Sequence, residues 1–127
     1  CNVVSNHLAN NAQTAGILDY RLFSLLLPYA TFLNTGRGAQ VVEDDLCRLL
    51  RERPDVTAVL DVTWPEPPAA DSPFYTLGNC VLTPHIAGSS GREVQRMAAY
   101  MVEEFAALLH GAPTRYEVTV KMLETMA

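Results

Sequence analysis

Four short apolar runs, separated by helical patterns, constrain this chain more than any other feature. Val3 to Asn6 reads as a short buried strand, and Ala30 to Asn34, Val56 to Val62 and Cys80 to Leu82 read as further strands. Between the first two, Asp19 to Leu27 reads as a helix, with Ile17, Leu18, Leu22, Leu25 and Leu26 at helical spacing and Pro28 as its stop. Glu43 to Arg53 reads as a second helix, with Leu46, Leu49 and Leu50 on one face and Pro54 behind it. Its acids come early and its arginines late, which suits the helix dipole. A proline-rich stretch from Thr63 to Ser72 excludes regular structure. A long helix is expected from Ser89 or Ser90 to about His110, with Val94, Met97, Ala98, Met101, Val102, Phe105 and Leu109 as one apolar stripe. That stripe reads as core, or as a surface for another part of the protein. Gly111 and Pro113 end the helix, and Tyr116 to Val120 is a candidate last strand. This alternation predicts an α/β fold: a parallel sheet with flanking helices and right-handed crossovers.

A chain of 127 residues is long enough for one domain, and 49% hydrophobic with 18% charged residues is a globular composition. The net charge of -5 argues against a nucleic-acid partner. No apolar run approaches the length of about 18 residues that a membrane helix needs. Cys1, Cys47 and Cys80 are odd in number and lack metal-ligand spacing, so neither a zinc site nor a disulfide framework is expected. Reduced thiols point to a cytoplasmic protein. Cys1-Asn2-Val3 runs straight into a strand pattern, so the start reads as a cut through a longer protein.

Chemistry collects where the strands end. Asn34-Thr35-Gly36-Arg37-Gly38 follows the second strand. Its arginine reads as a solvent-facing turn residue or as an anion clamp, because glycines let backbone approach a ligand and a guanidinium is a rigid two-pronged donor. Asp61 ends the third strand, as a turn-forming acid or as an acceptor for a ligand amide. Glu66 sits between Pro65 and Pro67, a loop acid or a held carboxylate suited to orienting a histidine. His85, in Thr83-Pro84-His85-Ile86-Ala87-Gly88, follows the fourth strand as a structural or a proton-transferring imidazole. His7 reads as a loop residue and Trp64 as packing.

Taken together, these segments resemble the D-isomer-specific 2-hydroxyacid dehydrogenase family, which includes phosphoglycerate and glycerate dehydrogenases. The resemblance rests on Val3-Val4-Ser5-Asn6-His7-Leu8, the arginine segment, Leu60-Asp61-Val62 with Pro65-Glu66-Pro67, and Asn79 to Gly88, in the family's order. It implies a Rossmann-like fold, here the second half of an NAD(P)-binding domain over residues 1–110. Residues 111–127 would lead back to a substrate domain. It implies hydride transfer between NAD or NADP, NAD before NADP, and a D-2-hydroxyacid or 2-ketoacid. Arg37 would bind the substrate carboxylate and carbonyl. His85 would be the general acid or base, and Glu66 would orient it. Asp61 would hold the nicotinamide carboxamide, and Leu8, Thr35, Gly36, Arg37, His85 and Gly88 would line the cofactor. A homodimer is implied for the full-length protein.

The sequence departs from the family's pattern in places. Ala9 and Asn11 stand where a proline and a threonine are usual, and Val42 replaces the first of an acidic pair that keeps Glu43. The seven glycines do not form GxGxxG, the phosphate-binding loop. The chain alone is therefore expected to bind cofactor weakly and to be inactive. Two other readings stay open: a non-catalytic dinucleotide-sensing or protein-interaction module on the same fold, and a structural or dimerisation piece.

Overall fold

The computed structural model describes residues 1–88 and 90–124. Strands β1 (Val3–Asn6), β2 (Thr31–Asn34), β3 (Thr57–Leu60) and β4 (Cys80–Leu82) form one parallel sheet in the order β1-β2-β3-β4. The register pairs Asn6 with Asn34, Asn34 with Leu60, and Leu60 with Leu82. All four strands therefore stop at one edge of the sheet, and every turn that follows a strand opens on that edge.

Helices α1 (Tyr20–Phe23) and α2 (Glu43–Glu52) make the first two crossovers and pack against each other. The sheet's inner face and α2 form the core: Phe32, Ala58 and Leu60 meet Leu46, Leu49 and Leu50, all buried, with Phe23 and Phe74 closing the ends. Phe23 meets Phe32 edge to face at 5.1 Å between ring centres. The third crossover has no α-helix; it is the proline-rich loop and a single 3₁₀ turn, Pro73–Tyr75.

Four expectations change. Strand β1 is not buried: it lies at the edge of the sheet, with Val3 and Val4 exposed and only Asn6 covered. The first helix is one turn, not two, because its hydrogen bonds tighten to i→i−3 at Leu25 and Leu26 before the chain must reach β2. Residues 116–120 are not a strand. The backbone N–H groups of Arg115 and Tyr116 donate to the Glu104 carboxylate at 3.0 and 3.1 Å, which ties this segment to the long helix instead of to the sheet. That helix, α3 (Arg92–Leu109), buries none of its described side chains, so its apolar stripe is not core in this chain. It starts after Gly91; Ser89, the earlier expected start, lies outside the described residues. It ends as expected at Gly111, whose φ of 64° is the left-handed C-cap conformation glycine favours. No helix among the described residues is long and apolar enough to cross a membrane.

Candidate active site

The sheet edge collects every candidate residue. Leu8 lies two positions past β1, Thr35 to Arg37 follow β2, Asp61 follows β3, and His85 and Gly88 follow β4. In an open parallel sheet the strands' carboxyl ends border the ligand crevice.

Asp61 organises the loop after β4. Its buried carboxylate accepts hydrogen bonds from the Thr83 hydroxyl, from Ile86 N–H at 2.9 Å and from Ala87 N–H at 2.9 Å. Burial pushes this acid's pKa up, but the bonds from Thr83, Ala87 and Ile86, with His85 nearby, outweigh it and hold the carboxyl below its ordinary value. The His85 backbone N–H is bonded to the carbonyls of Asp61 and Thr83, at 3.1 and 3.0 Å. With φ at 54°, His85 adopts a left-handed conformation that a non-glycine residue keeps only when its surroundings impose it. Asp61 thus shapes the histidine loop, as the turn-forming reading of its position expects.

His85 and Glu66 meet. Nδ1 of the imidazole lies 2.6 Å from Oε1 of Glu66, an ion pair when the ring is protonated. The side chains keep 50% and 41% of their exposure, so the pair stands open to a ligand. With Nδ1 held by the carboxylate, Nε2 is the nitrogen left to exchange a proton. The pair borders a cleft of about 450 Å³, whose walls include Asp61, Thr63, Tyr75 and Thr83. Trp64 is 70% exposed beside this loop and is not packing.

Arg37 does not line that cleft. Its Nη1 donates to the Gly36 carbonyl at 2.8 Å, which folds the guanidinium onto its own turn. The turn itself is docked against the loop that carries Glu66. A Cβ on Gly38 would fall 2.0 Å from the backbone of Thr63, so glycine alone permits this approach. The two segments adjoin, although the three side chains do not share one cavity.

The sequence reading passed over three buried amides, Asn6, Asn34 and Gln40. Their signal was a polar residue ending each of the first two apolar strands, and the register sets those two side by side. A dinucleotide's nicotinamide end suits this edge: a carboxylate and loop backbone lie there, and Gly88 has open space at its Cα. A pyrophosphate cradle of the GxGxxG kind is not among the chain's residues.

Comparison with known proteins agrees with the fold. Residues 1–87 match the family model for the D-isomer specific 2-hydroxyacid dehydrogenase NAD-binding domain. The chain belongs to this family, whose members are NAD(P)-dependent enzymes. It is 44% identical over 82 residues, 65% of its length, to glyoxylate/hydroxypyruvate reductase A of Serratia proteamaculans, and spans 26% of that protein. It is 35% identical over 105 residues to the human glyoxylate reductase/hydroxypyruvate reductase, covering 83% of this chain and 32% of that one. The chain thus spans about a quarter to a third of these curated relatives. Among solved structures, the TT0316 protein of Thermus thermophilus superposes with a TM-score of 0.83 at 36% identity, covering 94% of this chain and 38% of that one. The NADPH-dependent glyoxylate/hydroxypyruvate reductase of Sinorhizobium meliloti, solved with NADP and sulfate, gives 0.81 at 28% identity over 96% of this chain and 39% of that one.

Proposed function

We propose that this chain carries the proton-transfer site of an NAD(P)-dependent reductase that interconverts a small 2-ketoacid and its D-2-hydroxyacid. The observation that carries this reading is the His85–Glu66 pair, 2.6 Å apart and open to a cleft at the sheet's carboxyl edge. The cofactor supplies or accepts the hydride. Reduction leaves negative charge on the substrate oxygen, and protonated His85 gives that oxygen a proton from Nε2. Glu66 fixes the ring's orientation through Nδ1. Arg37 swings from its turn to bind the substrate carboxylate, a bidentate contact a guanidinium makes well. Asp61 supports the His85 loop and offers a carboxylate to the nicotinamide carboxamide; backbone near Leu8, Thr35, Gly36 and Gly88 lines that ring.

Residues 1–110 serve as the later part of the NAD(P)-binding domain, and 111–127 lead toward a substrate domain. Without a GxGxxG loop the 127-residue chain by itself binds dinucleotide weakly and does not turn over. The full-length protein works as a homodimer in the cytoplasm, a setting consistent with three free cysteines.

The test is reduction of glyoxylate, hydroxypyruvate and pyruvate by the full-length protein with NADH and with NADPH, wild type beside His85→Ala. We expect reduction of at least one acid and a fall in kcat of about 10²–10⁴-fold in the variant. Cofactor binding with no reduction of any ketoacid would move the reading to a dinucleotide-sensing module.

A further inference from the structure

We infer that Gln40 is a positioning residue that couples the loop after β1 to the Arg37 turn through a relay of three buried carboxamides. Gln40 has no exposed surface, and neither has Asn34; Asn6 has almost none. The Gln40 Nε2 donates to the carbonyls of Leu8 at 2.8 Å and Ala9 at 2.9 Å. Its Oε1 accepts from Asn6 Nδ2 at 2.5 Å. The same Asn6 nitrogen donates to Asn34 Oδ1 at 3.0 Å, and Asn6 Oδ1 accepts from Leu8 N–H at 3.2 Å. Asn34 then holds the arginine turn from within: Oδ1 accepts from Gly36 N–H at 3.1 Å, and Nδ2 donates to the Arg37 carbonyl at 3.2 Å.

The two loops so joined are those assigned to the cofactor and to the substrate carboxylate, so the functional meaning of the relay rests on the reading above. Its chemistry explains why amides were needed. Each residue must donate and accept at once, a demand that no apolar side chain, ionised carboxylate, ammonium or guanidinium meets. Buried polar groups that are fully paired rigidify their surroundings, and one lost partner strands the rest. Displacement of the Leu8–Ala9 backbone is therefore felt at the Arg37 turn, which follows the neighbouring strand at the same sheet edge.

Amide hydrogen exchange by NMR on the 127-residue chain tests the relay without any enzyme assay. In the wild type the Gln40 side-chain amide protons exchange slowly; rapid exchange overturns the proposal whatever the variants do. Gln40→Met, similar in shape but without donors, is expected to speed exchange at both Leu8 and Gly36 by about tenfold or more, with Val59 in β3 unaffected. Asn34→Ala, working from the other end, is expected to loosen Leu8 as well. An unchanged Leu8 amide in Asn34→Ala, or uniform loosening that includes Val59, overturns the coupling. In the full-length protein Gln40→Met is expected to raise both KM for glyoxylate and Kd for NADPH by about tenfold; lower melting temperature with both constants intact overturns the positioning role. A protein inactive on ketoacids but slow and coupled in exchange would keep the relay and lose the assigned function, so the two failures are distinguishable.

Discussion

Asp61 and Gly38 show how much of this site is held by single residues with no spare freedom. Asp61 accepts from one hydroxyl and two backbone amides, so Asp61→Asn would turn an NH₂ toward groups that themselves donate. Loss of about 1–3 kcal/mol is expected, read from urea denaturation, together with loss of the left-handed geometry at His85. Stability equal to wild type would show that the loop holds itself. Gly38→Ala would drive a methyl group into the Thr63 backbone and is expected to cost about 1–3 kcal/mol or more. Gly88→Ala meets nothing within 4 Å and should stay within about 0.5 kcal/mol of wild type. The candidate residues stood out in sequence because a charged or imidazole side chain follows each of the last three apolar strands. The destination of Arg37 was not, since a guanidinium's direction is set by what surrounds its turn.

The two main helices differ in what they bury. Leu46, Leu49 and Leu50 of α2 have at most 1% of their surface exposed, whereas Met101 and Phe105 of α3 are each 60% exposed. Leu50→Ala should therefore cost about 2–5 kcal/mol, and Met101→Ala no more than about 0.5 kcal/mol; thermal or urea melts of the two variants decide it. Both helices carry an equally plain apolar stripe in sequence. Periodicity reports that a face is apolar, but not whether anything in the same chain covers it. The strands were legible almost to the residue for β1 and β4, because apolar β-branched runs end abruptly at polar turns. The shortened α1 was not, because its length is set by the distance to β2.

At the scale of the molecule, the exposed face of α3 is expected to drive concentration-dependent self-association. Sedimentation should show it, Phe105→Glu should weaken it, and a monomer at all concentrations would refute it. The core also leaves a pH signature. Burial raises the Cys47 thiol to about 11 and the Cys80 thiol to about 12, against an ordinary value of 9.0. In the unfolded chain both thiols ionise near that ordinary value, while the folded state keeps them protonated. Their contribution to stability is thus complete below pH 9.0 and is lost as pH rises from there through about 11 and about 12. Cys47→Ala with Cys80→Ala should flatten this alkaline decline in Tm; an unchanged slope would place its cause elsewhere.

From sequence alone follow the parallel α/β order and the choice of the strand ends, with Arg37, Glu66 and His85 beside them, as the candidate place of chemistry. All of these depend on local pattern and residue type. Tertiary structure brought His85 to Glu66 as the sequence reading expects, and it alone decided that Asp61 bonds the histidine's own loop, that Arg37 folds onto its own turn, and that Asn6, Asn34 and Gln40 join two turns. These depend on register: the side-by-side stop of β1 and β2 aligns two amides 28 residues apart, and no local pattern encodes that distance.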